Sequence, residues 1–91
     1  MIRSFRHKGL GKFWNKGDKS GLGADLVDRI RRRLDVLNAA SRPDEMNLPG
    51  FNFHSLRGNP QRYTVHVNGP YCLTFAWHET DAIEIDPENY H

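Results

Sequence analysis

Four side chains in this sequence could move protons or steady an oxyanion if the fold gathers them: His54, Asn89, Tyr90 and His91. An imidazole can take or give a proton near neutral pH. A phenol can donate a hydrogen bond to a phosphate or to a leaving oxygen. Arg57, three residues after His54, suits two-pronged contact with a phosphate. Acid, base and cation are the parts needed to drive an RNA 2′-hydroxyl onto its own phosphodiester without a metal. The sequence closes on Asp86-Pro87-Glu88-Asn89-Tyr90-His91, directly after an alternating strand pattern. Ordinary termini fray and carry polar filler, so a closing Tyr-His is expected to be tied down beside His54. His7, His66 and His78 read as structural or surface residues. The one cysteine, Cys72, excludes an internal disulfide, and no Cys/His spacing suggests zinc. A reactive thiolate at Cys72 needs a neighbouring base that the sequence does not offer. Lys19-Ser20 precedes its glycines and no strand leads into it, so the phosphate-loop pattern is absent. No cofactor is expected.

The elements that must position these residues follow from periodicity. Residues 2–5 can form a short edge strand. Leu10, Phe13 and Trp14 share one face of a helix expected over 6–16, with Gly17 as its stop. Leu26, Ile30, Leu34 and Leu37 make the stripe of a second helix over 24–40. On that helix Asp25–Arg29 and Asp28–Arg32 are favourable i, i+4 pairs, and Arg29, Arg32 and Arg33 lie away from the stripe. After Leu48-Pro49-Gly50 the period changes to two. Phe51 and Phe53 then oppose Asn52 and His54. Tyr63, Val65 and Val67 alternate with Thr64 and His66, and Tyr71, Leu73, Phe75 and Trp77 with Cys72, Thr74 and Ala76. Asn68-Gly69 marks a hairpin between these two runs. Ile83 and Ile85 are expected on one face of a last strand. The result is an α+β fold, two helices on one face of a mainly antiparallel sheet. The uncovered face would show His54, Thr64, His66, Cys72 and Thr74, with Cys72 open to solvent.

Ninety-one residues make a single domain, 1–91, with a modest core. No apolar run approaches a membrane span, and no signal peptide is evident, so a cytoplasmic protein is expected. The charge is divided unevenly. Residues 1–33 hold ten bases against three acids, and residues 34–91 hold three bases against eight acids. A basic half of that density suits a polyanion, nucleic acid above all. Lys8, Lys12, Lys16, Arg29, Arg32 and Arg33 are the candidate phosphate-binding cations, together with Arg57.

The opening Met1-Ile2-Arg3-Ser4-Phe5-Arg6-His7-Lys8-Gly9-Leu10 resembles the start of HigB-type toxins of the RelE/ParE superfamily. Met46-Asn47-Leu48-Pro49-Gly50, His54-Ser55-Leu56-Arg57-Gly58, Val67-Asn68-Gly69, Leu73-Thr74-Phe75 and the closing Tyr90-His91 are similar to the family in the same order. The resemblance implies a small helix-covered antiparallel sheet. It also implies a toxin that cuts messenger RNA in the ribosomal A site without metal, through 2′-hydroxyl attack that leaves a cyclic phosphate. The implied partner is a helix-turn-helix antitoxin of the HigA type, and operator DNA is reached only through that antitoxin. The family's histidine in a His-x-Leu-Lys-Gly motif falls on His54, and its lysine falls on Arg57. Its closing Asp-Tyr-His falls on Asn89, Tyr90 and His91, with Asn89 lacking the carboxylate. Cys72 stands where the family usually carries arginine, which implies an impaired nuclease. The competing reading is a non-catalytic binding protein, either a gyrase-type inhibitor or a nuclease-dead antitoxin-binding module.

Overall fold

The structure is a computed structural model that describes residues 1–89. Helix α1 spans Lys8–Lys16 and buries Leu10 and Phe13. His7 caps it, its Nδ1 accepting the Leu10 N–H at 3.0 Å. Gly17 closes it at φ 72°, sending its N–H back to the last turn. Gly9 weakens α1, but it has a packing reason. A Cβ there would lie 3.3 Å from the Gly21 Cα, and one on Gly21 would lie 3.0 Å from the Gly9 Cα. Two bare backbones therefore let the loop after α1 fold onto its first turn.

Helix α2 spans Val27–Ala39 and buries Val27, Ile30, Leu34 and Leu37. It begins three residues later than its periodicity indicates. The Leu26 N–H is taken by the Gly23 carbonyl at 2.9 Å, so residues 23–26 form a turn. Asp25 thus lies outside the helix, and neither expected i, i+4 ion pair forms among the described residues. A short 3₁₀ turn, Pro43–Met46, buries Met46 and leads to the sheet.

Strands β1 (His54–Leu56), β2 (Arg62–Asn68), β3 (Tyr71–His78) and β4 (Asp81–Asn89) form an antiparallel meander in chain order. The α+β architecture read from the sequence is therefore the one observed. Val65, Val67, Leu73 and Phe75 face the helices as alternation requires, and pack with Leu10, Ile30, Leu34 and Leu37 in one core. The phase of β4 differs from the expected one. Ala82 and Ile85 are both fully buried, while Ile83 is only half-buried. A bulge causes this: Thr74 pairs with Asp86 but Ala76 with Ile83, and Glu84 sits at φ 50°. The N–H of Glu84 is satisfied by Ser4 Oγ at 2.9 Å. Residues 1–6 run parallel along β4, with bridges at Ile2–Ala82 and Phe5–Ile85, so the expected edge strand is present as two isolated bridges. Among the described residues no helix is long and apolar enough to cross a membrane.

Register fixes the sheet's other face. His54, Thr64, Thr74 and Asp86 line up directly across the four strands, and His66, Cys72 and Glu88 form the neighbouring row.

Candidate active site

His54 is the first residue of β1 and is exposed on that second face. Its Nδ1 lies 3.1 Å from the Asn52 carbonyl oxygen. A carbonyl can only accept, so Nδ1 carries the proton and a neutral ring keeps its lone pair on Nε2. Asn52 holds a positive φ of 46°, a conformation asparagine tolerates better than most residues, and this bend brings its carbonyl to the ring. His66 is arranged in mirror fashion. Its Nε2 lies 3.0 Å from the Gly69 carbonyl at the β2–β3 turn, and Nδ1 has no partner among the described residues. The two imidazoles line one solvent-open cleft of about 170 Å³, together with Asn52, Thr64, Tyr71 and Cys72. That is room for several waters, and so for a phosphoryl group.

Cys72 sits in this cleft's lining on the expected face, but it is buried (7% exposed) and not open to solvent. The sheet pairs it between His66 and Glu88. Burial pushes its thiol pKa up, a hydrogen bond with Thr64 opposes this, and the Glu88 charge adds to the rise. The thiol therefore stays protonated at neutral pH and is a poor nucleophile.

Beside the cleft lies a polar chain that sequence reasoning missed. Arg62 donates through Nη2 to Thr74 Oγ1 at 2.9 Å and to the Glu84 carbonyl at 2.8 Å. Thr74 in turn donates to the Glu88 carboxylate. Arg62 Nη1 is buried with no hydrogen-bond partner among the described residues, though Glu84 Oε2 lies 3.9 Å away. Burial is the main cause that lowers the Arg62 pKa, followed by Arg6, while Glu88, Glu84 and Asp86 raise it. The β4 bulge supplies the Glu84 carbonyl, and no pattern of apolar residues reports it.

Arg33 corrects an expectation. It lies in the α2 stripe, 5% exposed, and is unavailable to a phosphate. Its Nε donates to the His66 carbonyl at 2.8 Å and its Nη1 to the Arg29 carbonyl at 3.2 Å. Its Nη2 reaches the Gly50 carbonyl at 3.5 Å. The guanidinium carbon stands 4.5 Å from the centre of the Phe51 ring. The His66 N–H also donates to the Phe51 carbonyl at 2.6 Å. Arg33 thus ties α2 to the loop that leads into His54 and to the strand that carries His66.

The remaining candidates are dispersed. Arg57 is exposed just past β1 and borders a separate depression with Ser55 and Gln61. Lys8, Lys12, Lys16, Arg29 and Arg32 are exposed on the helices, which cover the opposite face of the sheet from the cleft. Asn89 pairs with Tyr71 and borders the neighbouring depression lined by His7 and Leu22, not the His54 cleft. Tyr71 borders both. Tyr90 and His91 lie outside the described residues. Among the described residues no group of three or more His, Cys, Asp or Glu could hold a metal ion.

Comparison with known proteins gives this arrangement a lineage. The family model described as the RelE-like toxin of type II toxin–antitoxin system HigB matches residues 3–88. The chain belongs to the HigB-like toxin family. A relative from Proteus vulgaris, named endoribonuclease HigB, is 37% identical over 92 residues, covering all of both chains. As a type II toxin, the protein has an antitoxin as its partner. In this HigB-like toxin the second face of the sheet carries the two anchored imidazoles and the cleft they line.

Proposed function

We propose that this toxin is a messenger-RNA endonuclease that works on translating ribosomes in the cytoplasm, by attack of an RNA 2′-hydroxyl on the adjacent phosphodiester. The observation that carries the reading is His54, held by Asn52 with one ring nitrogen unused in a cleft of phosphoryl size. The full-length relative named an endoribonuclease supports it. In this reading His54 exchanges a proton with the reacting oxygens, joined by Tyr90 and His91, and Arg57 approaches the message from its own depression. Asn89 orients the closing segment, being paired with Tyr71 at the cleft's margin. Lys8, Lys12, Lys16, Arg29 and Arg32 grip ribosomal phosphates from the helix side. The antitoxin is of the helix-turn-helix HigA type, and operator DNA is met only through it.

The buried Cys72 favours a second reading. A thiol cannot neutralise a phosphate, so the chain would be an antitoxin-binding module without nuclease activity. Induction in cells that lack the antitoxin, followed by primer extension on a translated message, separates the two. The nuclease reading expects growth arrest, cuts within codons, and a loss on the order of 100-fold or more in His54→Ala. No cuts, or cuts in untranslated message alone, would sink it, and DNA-damage signalling without cuts would point to a gyrase-type inhibitor.

A further inference from the structure

We propose that His66 is a second proton-transfer residue of this cleft, acting as general acid while His54 acts as base. The inference rests on the nuclease reading and adds to it a residue whose sequence context had marked it as structural. Three observations carry it. His54 and His66 line the same cleft. Through the register His54↔Thr64 they are diagonal neighbours on one face, about 7–8 Å apart at the backbone, a spacing that lets two rings flank one phosphodiester. Each ring has one nitrogen held by a backbone carbonyl, Asn52 for His54 and Gly69 for His66, and the other nitrogen has no partner among the described residues.

The two rings differ in their charged neighbours, and the roles follow that difference. His66 shares its cross-sheet row with Glu88, and Asp86 lies in the next row. Arg62 on its own strand and Arg33 at its carbonyl are the cations beside it, and Glu84 lies 3.9 Å from Arg62. His54 lies on the strand farthest from those carboxylates, three residues from Arg57. In the step itself, His54 Nε2 takes the proton of the 2′-hydroxyl as O2′ bonds to phosphorus. The bond from phosphorus to O5′ breaks, its electron pair stays on O5′, and His66 Nδ1 delivers a proton there. The products are a 2′,3′-cyclic phosphate and a 5′-hydroxyl. Both rings have then exchanged charge states, and solvent restores them.

A message whose scissile O5′ is replaced by sulfur tests the assignment, because a thiolate leaves without a proton. On programmed ribosomes His66→Ala is expected to cut ordinary message on the order of 100-fold more slowly, and the sulfur-substituted message at nearly the parent rate. His54→Ala is expected to be slow on both. Parent-like cutting of ordinary message by His66→Ala, or an equal loss on both messages, would overturn the proposal. If the parent chain cuts neither message, it is the nuclease reading that fails. His66 is then judged by titrating the intact protein with cytidine 3′-monophosphate while following both imidazoles by NMR. Ring signals of His54 and His66 shifting along one isotherm support a shared phosphate site. A His66 signal that stays still overturns it.

Discussion

The helix-covered face of the sheet and its second face each take in an arginine, and they treat it differently. On the helix side Arg33 spends its guanidinium on the carbonyls of Arg29, Gly50 and His66 and lies against Phe51. On the second face Arg62 holds Thr74 and the Glu84 carbonyl, yet Nη1 stays buried without a hydrogen-bond partner among the described residues. Burial is the largest cause lowering both pKa values, with like charges Arg29 and Arg32 adding to it at Arg33. Arginine remains protonated in either place. The first is a saturated tie within a core. The second belongs to a face with unused capacity among the described residues: a guanidinium donor and one nitrogen on each of two imidazoles without a partner, and a cleft. Stability has been completed on one side of the sheet and held short of completion on the other.

The largest effect expected from that contrast is catalytic. Cys72 lines the cleft, between His66 and Glu88 in one cross-sheet row. Cys72→Arg would place a preorganised cation where negative charge builds on the phosphate. A donor of that kind is worth on the order of 100–1,000-fold in rate, or roughly 3–4 kcal/mol. Message cleavage on translating ribosomes and growth arrest should both increase. If both proteins are active and Cys72→Arg is no more so, the phosphate-clamp reading of this position is wrong.

Next comes stability. Arg33→Met leaves the His66 and Gly50 carbonyls without their charged donor, at a cost of about 3 kcal/mol. Arg62→Met also loses two hydrogen bonds, but it relieves the desolvation of a donor that has no partner. Its cost should stay near ~1 kcal/mol. Urea titration of both variants checks the order. Equal losses would mean that the two faces are equally saturated and would break the comparison.

Much of this was legible in the sequence, and the exceptions share a cause. Alternation in β2 and β3 picked out Val65, Val67, Leu73 and Phe75 as the residues facing the helices, but Thr64, Cys72 and Thr74, expected on an open face, are buried. It failed in β4, where the bulge at Glu84 depends on Ser4 Oγ, 80 residues away in sequence. Local pattern cannot carry a condition set from that distance. Arg33 is a different case. It falls three residues after Ile30 and four before Leu37, so helical spacing does place it in the buried stripe. Its charge argued the other way. His66 was placed on the right face, but its neighbourhood with His54 needs the β1–β2 register, which turn length and Gly58-Asn59-Pro60 do not specify.

A smaller effect concerns the outer surface of the helices. Lys8, Lys12 and Lys16 recur every fourth residue along α1 and are all exposed. If these cations grip ribosomal phosphates, affinity should fall steeply with salt. Reversing all three charges should flatten the slope of log affinity against log salt by roughly two. The cleft lies on the other face, so cleavage at saturating ribosome concentration should hardly change. A salt slope unaffected by the triple reversal would remove these residues from the ribosome contact.

The smallest effect expected is at the edge that closes the helix side. Asp81 begins β4, and Arg3 donates to its Oδ2 through Nε at 3.0 Å and through Nη2 at 2.6 Å. The terminal ammonium of Met1 lies 3.5 Å from Oδ1. The Arg3 hydrogen bonds are the main cause that holds the Asp81 carboxyl below its ordinary pKa; desolvation opposes them, and the Arg3 and terminal charges add to the lowering. A carboxyl with a depressed folded-state pKa binds its proton more weakly when folded than when unfolded. It therefore stabilises the fold above the unfolded pKa of about 4, and that contribution is lost as pH falls through the lower folded value. Asp81→Asn removes the charge at every pH. Its Tm should lie slightly below that of the parent at pH 7, and the two should converge as pH falls through the depressed folded-state value. The pairing is largely solvent-exposed on the Arg3 side, so salt should also shrink the gap at pH 7. A gap that persists unchanged into acid would mean that the aspartate acts through strand geometry and not through its charge. The strap from Met1 to Arg6 would then be held to β4 by its backbone bridges alone.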